Sequence, residues 1–290
     1  MIRQALLMLV TLLPFTLGPL VPEAAAKPTE INKCETITAP GSYVLKKSLT
    51  ATGDCLIVAA SFVTLDLDGQ TLTGDGTGIG IRNETGLING TVVRNGTVTN
   101  FAVGVSVDPG FYNRIEQIRA LDNTVDGIQV GNSNTATGNT ASGNGRSGIR
   151  GSGGLAFDVT ITGNIANNNG LIGIETGGFG LGGIGFNNIV SGNMANNNGT
   201  TGILASPGSI VSGNTANRNG TTGIRISGSA STIVNNTAVK NSGLGIALDV
   251  LCTPDFLSTL IGNTAQGNNG GSPNPNTSNL AGCVTADNAF

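Results

Sequence analysis

The stretches Gly213-Asn214-Thr215-Ala216-Asn217-Arg218-Asn219-Gly220-Thr221-Thr222-Gly223-Ile224-Arg225-Ile226 and Asn235-Asn236-Thr237-Ala238-Val239-Lys240-Asn241-Ser242-Gly243-Leu244-Gly245-Ile246-Ala247-Leu248 decide the fold. Both carry the unit Asn, x, Ala, x, x, Asn, x, x, x, Gly, Ile, x, aliphatic. Its Gly-aliphatic step recurs at Gly104, Gly127, Gly148, Gly173, Gly202, Gly223 and Gly245, at intervals of 23, 21, 25, 29, 21 and 22 residues. Four residues before each glycine stands an asparagine: Asn100, Asn123, Asn144, Asn169, Asn198, Asn219 and Asn241. Five residues earlier the column reads Asn95, Ile118, Asn139, Asn164, Asn193, Asn214 and Asn236, and Asn263 opens one more copy. A fixed period of this kind is the mark of a repeat architecture.

A unit of about 22 residues is too short for a helical hairpin repeat. Its apolar residues alternate in short runs (Ile224, Ile226; Ile246, Leu248; Ile128, Val130), which is strand periodicity. Short strands joined by turns make one coil, and coils stack at the inter-strand spacing of about 4.8 Å. The fold class expected is therefore all-β: a right-handed parallel β-helix, with aliphatics inside and the seven asparagines from Asn100 to Asn241 as a structural ladder. Asparagine suits the bends because it tolerates left-handed backbone and its amide bonds neighbouring backbone groups.

The Gly-Ile-x-Ile strand and the Gly-Asn-x-Ala turn resemble the repeat of the pectin-lyase-like superfamily of right-handed β-helices, over about residues 56 to 270. The resemblance implies the fold and, in that superfamily's polysaccharide lyases and hydrolases, an active site on the outward face of the first strand of each coil. It does not name a chemistry, because one fold hosts many.

Residues 1–26 read as a secretory signal: Arg3, an apolar stretch from Ala5 to Leu20, and Ala24-Ala25-Ala26, with cleavage after Ala26. A membrane anchor is the rival reading, and the apolar run is short for one. Residues 27–55 are expected as an N-terminal cap, 56–270 as the β-helix and 271–290 as a C-terminal cap or tail. Four cysteines in an exported chain suggest two disulfides. Of the three pairings, Cys34–Cys55 and Cys252–Cys283 would staple one end each. A four-thiolate metal site is disfavoured by the absence of C-x-x-C spacing, and no metal site is expected.

The chain has a formal net charge of −3, 11% charged residues, no His and no Trp. The balance argues against nucleic acid. Lack of His removes the commonest acid/base and metal ligand, and lack of Trp the largest flat sugar platform. The outward file of the Gly-Ile-x strands reads Gln129, Arg150, Glu175, Leu204, Arg225, Ala247, with Asp126 displaced toward the coil start. Arg150, Glu175, Arg225 and Asp126 are the candidate catalytic set; the alternative is an ordinary surface ion pair. Asn123-Thr124-Val125-Asp126-Gly127-Ile128 is similar to a polygalacturonase step, but Ser147 replaces the next coil's aspartates, and Gly-His-Gly and Arg-x-Lys are missing. The β-helix family that assists copper-enzyme maturation is disfavoured too, since Met194 is the sole methionine after residue 26.

The expectation is a secreted or periplasmic structural or carbohydrate-binding module, acting on a polysaccharide or cell-surface glycan. It is expected to be monomeric, without nucleic acid, cofactor or, once the signal is removed, membrane. The alternative is a polysaccharide lyase or glycoside hydrolase, and calcium enters only there. Longer coils at Gly151–Asp158 and Gly177–Asn188, with Phe157, Phe179 and Phe186 in or beside them, are the loops expected to flank a groove.

Overall fold

A computed structural model describes residues 27–151, 156–177, 186–228, 230–255, 257–269, 276–278 and 280–290. Residues 1–26, read above as a signal cleaved after Ala26, lie outside the described residues, as do Phe179 and most of the two long loops. The chain is a parallel β-solenoid of about ten turns, with no helix among the described residues. Among the described residues, each regular coil runs from a long sheet of fifteen strands, around a bend, through a single bridged residue, around a second bend, into a short sheet of eleven strands. All pairings are parallel; the strand Ser147–Arg150, for instance, lies between Asp126–Gln129 and Ile172–Glu175.

The register puts like on like. Val105, Ile128, Ile149, Ile174, Ile203, Ile224 and Ile246 pair in succession in the short sheet, and all are fully buried. Each contributes roughly 2–3 kcal/mol by leaving water. Ala120, Ala141, Ala166, Ala195, Ala216, Ala238 and Ala265 fill the tighter corner beside the second bend. The glycine before each isoleucine has a steric cause. A Cβ on Gly148 would lie 2.7 Å from both Asn169 Nδ2 and Gly173 O, space that the ladder already fills.

Two asparagine ladders run through the bends. Asn144, Asn169, Asn198, Asn219 and Asn241 each accept, through Oδ1, hydrogen bonds from the preceding rung's backbone N–H and amide. Each also donates from Nδ2 to a carbonyl of the previous coil, as Asn169 does to Ala141 O at 3.0 Å. The second ladder is Asn139, Asn164, Asn193, Asn214, Asn236, Asn263 and Asn288.

Asn100 corrects one expectation. The rung below Asn123 is Phe101, whose N–H donates to Asn123 Oδ1 at 3.0 Å. Asn100 lies one residue earlier with φ 57°, the left-handed position that Asp122 holds in the next coil with φ 53°. The turn before Gly104 is one residue shorter, so counting four back from the glycine lands beside the rung.

Disulfides join Cys34 to Cys55 and Cys252 to Cys283, the expected pairing. Glu35 pairs with Leu56 in the short sheet, so the first bridge clamps two adjacent coils just before their strands begin. Each bridge contributes about 3 kcal/mol in a chain-entropy model. Strands Thr29–Ile31 and Glu35–Ile37 already belong to the two sheets, so coil pairing begins within the first few described residues.

Candidate functional site

Four coils bring charged side chains together at the outward ends of the short-sheet strands. Register places Ser106, Gln129, Arg150, Glu175, Leu204, Arg225 and Ala247 in one file. Asp126, at the start of its strand, is fully buried. It accepts from Arg146 Nε at 2.9 Å and Nη2 at 2.7 Å, a two-pronged pair. Gln129 Nε2 donates to it at 2.8 Å and the Ser147 N–H at 3.2 Å, while Arg150 Nη1 stands 3.8 Å away. Ser106 Oγ lies 3.2 Å from Gln129 Oε1 and extends the chain of contacts one coil further.

Glu175 is nearly buried, with Arg150 Nε 3.9 Å from its Oε2 and Ser147 Oγ donating at 3.3 Å. Burial raises its carboxyl above the ordinary value; Arg150, Arg146 and the Ser147 hydroxyl oppose, and Asp126 adds to the rise. Burial also raises Asp108, with Arg150 opposing. Arg150 is thus the cation shared by Asp126, Glu175 and Asp108. Hydrogen bonding to Asp126 raises Arg146.

The structure therefore unites Asp126, Arg150 and Glu175. It does not bring in Arg225, whose Nε pairs with Asp249 Oδ1 at 2.7 Å, with Leu204 between it and Glu175. Sequence reading missed Arg146, Ser147's double contact and Asp108. Arg146 stands in the turn before the strand, in the column of Val125 and Leu171, and reaches back one coil. Aligning the repeats would have flagged it as the charged member of that column. Asp108 carries no such signal, since it lies in the irregular stretch after its strand.

The two carboxylates of the candidate set differ. Asp126 has its oxygens occupied by four hydrogen bonds and is a positioning group. Glu175 has one hydrogen bond and a raised proton affinity, the state suited to proton transfer. Among the described residues no group of three or more His, Cys, Asp or Glu is arranged to hold a metal ion.

A carboxyl whose proton affinity rises on folding adds stability below its unfolded pKa and loses it as pH climbs through the folded one. Glu175 should therefore make the protein less stable as pH rises from its ordinary 4.5. Asp108 acts in the same direction from 3.8. Glu175→Gln is expected to flatten that slope and to leave the urea midpoint at neutral pH equal to or above wild type. A steeper slope in the variant would contradict the assignment.

Residues 158–289 match the family model described as the right-handed beta helix region. Among solved structures, ORF18 of Geobacillus virus E2 superposes with a TM-score of 0.68 at 13% identity, over 82% of this chain and 52% of that one. The chain thus spans about half of that neighbour's length. The A-module of the mannuronan C-5 epimerase AlgE4 of Azotobacter vinelandii matches with a TM-score of 0.62 at 17% identity, over 86% of each chain. A single-residue variant of the periplasmic alginate epimerase AlgG matches with a TM-score of 0.51 at 16% identity, over 85% of this chain and 71% of that one. No curated relative matches in sequence. Likeness at these identities is likeness of fold. With its coils, bends and inward aliphatic file in place from the first described strands to the last, the chain has the fold of a right-handed parallel β-helix, and residues 158–289 carry the match to that family model.

Proposed function

We propose that this protein is an exported carbohydrate-binding β-helix, a structural or surface-binding module that engages a polysaccharide or cell-surface glycan beside the Arg146–Asp126–Arg150–Glu175 cluster. The saturation of Asp126 supports binding most directly. A catalytic pair needs two groups free to exchange protons or bind metal, and here Glu175 alone retains that freedom. Rigid strands hold the cluster, which suits recognition. Two disulfides support an oxidising compartment, secreted or periplasmic, and a fold neighbour is a periplasmic epimerase of alginate.

The second reading is a polysaccharide lyase or glycoside hydrolase, favoured by the raised proton affinity of Glu175 beside two guanidinium groups. Incubation with acidic and neutral polysaccharides, with and without calcium, separates the two. The binding reading expects retention on an immobilised glycan with neither unsaturated sugars by ultraviolet absorbance nor new reducing ends. A product that Glu175→Gln abolishes would replace it with the enzymatic one.

A further inference from the structure

The bend that returns each coil from the short sheet to the long one carries its own file. Phe62, Gly90, Tyr112, Ser133, Asp158, Asn187, Gly208 and Ala230 all have left-handed backbone, with φ between 54° and 69°. Hydrogen bonds link the file from coil to coil: Phe62 N to Asn89 O, Gly90 N to Phe111 O, Ser133 N to Phe157 O, Asp158 N to Phe186 O. This file and the one just before it hold five of the chain's eleven aromatic residues: Phe62, Phe111, Tyr112, Phe157 and Phe186. Left-handed backbone is uncommon for bulky residues and disfavours them, so Phe62 and Tyr112 need a reason other than local conformation.

Three of these rings face solvent, while Phe111 and Phe157 are half-buried. Tyr112 is 76% exposed, Phe62 72% and Phe186 42%. A Cβ on Gly90 would meet the Phe62 ring at 2.8 Å, and one on Gly208 the Phe186 ring at 3.2 Å. Each of these two rings therefore lies down over a glycine of the next coil. Phe157 and Phe186 stand 6.2 Å apart between centroids. Phe62, Tyr112 and Phe157 fall two coils apart in sequence, about 10 Å at the usual strand spacing, comparable to one disaccharide of an extended glycan.

The aromatic bend and the charged cluster share coils: Ser106 runs into Tyr112, Arg150 into Phe157 and Glu175 into Phe186. The charge there is not that of a polyanion receptor. Asp108, Asp126 and Glu175 outnumber Arg146 and Arg150, and Asp158 adds an exposed carboxylate to the bend.

We infer that the bend binds a neutral polysaccharide lying along the solenoid axis. The apolar faces of its sugar rings stack on Phe62, Tyr112, Phe157 and Phe186, and its hydroxyls donate to the exposed carboxylate of Asp158. The inference rests on the glycan-binding reading and narrows it: the cluster's excess carboxylate and the exposed Asp158 repel a polyuronate, while Asp158 can accept sugar hydroxyls.

The test uses the full chain against neutral oligosaccharides (gluco-, manno- and xylo-series) and against polygalacturonate and alginate, by calorimetry. Tyrosine emission is a second readout, because the chain has no Trp and Tyr112 is one of only two tyrosines. Tyr112→Asn removes the ring and keeps a residue suited to left-handed backbone, as Asn187 shows. Phe186→Ala removes a second ring, and Arg225→Ala is the control away from the bend. Affinity for a neutral oligosaccharide that falls about tenfold in each ring variant, at unchanged thermal midpoint and with the control unaltered, supports the inference. Binding restricted to polyuronates overturns it and leaves the glycan-binding reading standing. Neutral binding indifferent to both ring variants overturns it as well. No binding to any glycan overturns both.

Discussion

Asn169→Ala is expected to lower stability by about 3–4 kcal/mol, though the residue touches no ligand face. The Asn169 amide accepts from the Asn144 backbone N–H at 3.1 Å and Asn144 Nδ2 at 3.0 Å. It donates to Ala141 O and to Asn198 Oδ1, both at 3.0 Å. Truncation leaves a buried N–H and a buried carbonyl without partners, each costing roughly 1–3 kcal/mol. Asn167→Ala is the internal comparison. That half-buried side chain accepts one bond, from the Asn196 N–H at 2.7 Å, so about 1 kcal/mol is expected. Denaturant midpoints measure both, and hydrogen exchange at the Asn144 amide reports the opening directly. A ladder variant that costs no more than Asn167→Ala would remove the ladders from the account of what holds the coils.

Arg146→Ala should cost about 3–4 kcal/mol, and Asp126→Asn only about 1. The asymmetry comes from which partner reaches water. Asp126's side chain is fully buried, while Arg146's is 36% exposed. Without Arg146 a buried carboxylate keeps only Gln129, the Ser147 N–H and a distant Arg150, and an uncompensated buried charge is costly. Without the Asp126 charge, Arg146 turns to solvent, the amide oxygen keeps the Ser147 N–H, and the Gln129 side chain can turn its own oxygen to accept from the new NH2 group. The double variant should be more stable than Arg146→Ala alone. Equal costs for the two single variants would show that Asp126 is better hydrated than its surroundings allow.

How much of this was legible in sequence depended on whether a residue's partner lay in its own column. The Gly-Ile-x-Ile period gave sheet, register and inward file together, because side chains at one position of successive coils must touch. Arg150 meeting Glu175 followed from that rule alone. Asn100 slipped because a turn lost one residue, which column counting from a downstream glycine cannot detect. Arg146 and Asp108 escaped because their contacts run diagonally, from a turn or loop of one coil to a strand of another. Arg225 sat in the right file but found Asp249, an acid two positions past its own paired neighbour in the next coil. The burial of Asp126 depends on the arginine arching over it, and no pattern of residue types encodes that.

Because the regular coils bond to the one before and the one after, with the Thr124 hydroxyl reaching past one coil to Gly76 O near the irregular start, the molecule has a natural unit of growth and loss. The chain from Asn193 to Gly213 is one such unit: Gly192 and Gly213 share the same left-handed bend, and Asn193 and Asn214 the same rung. Removing it would rejoin like to like, shortening the rod by one layer without disturbing Asp126, Arg146 or Arg150. Scaffold length and recognition chemistry can therefore diverge independently among descendants of such a gene.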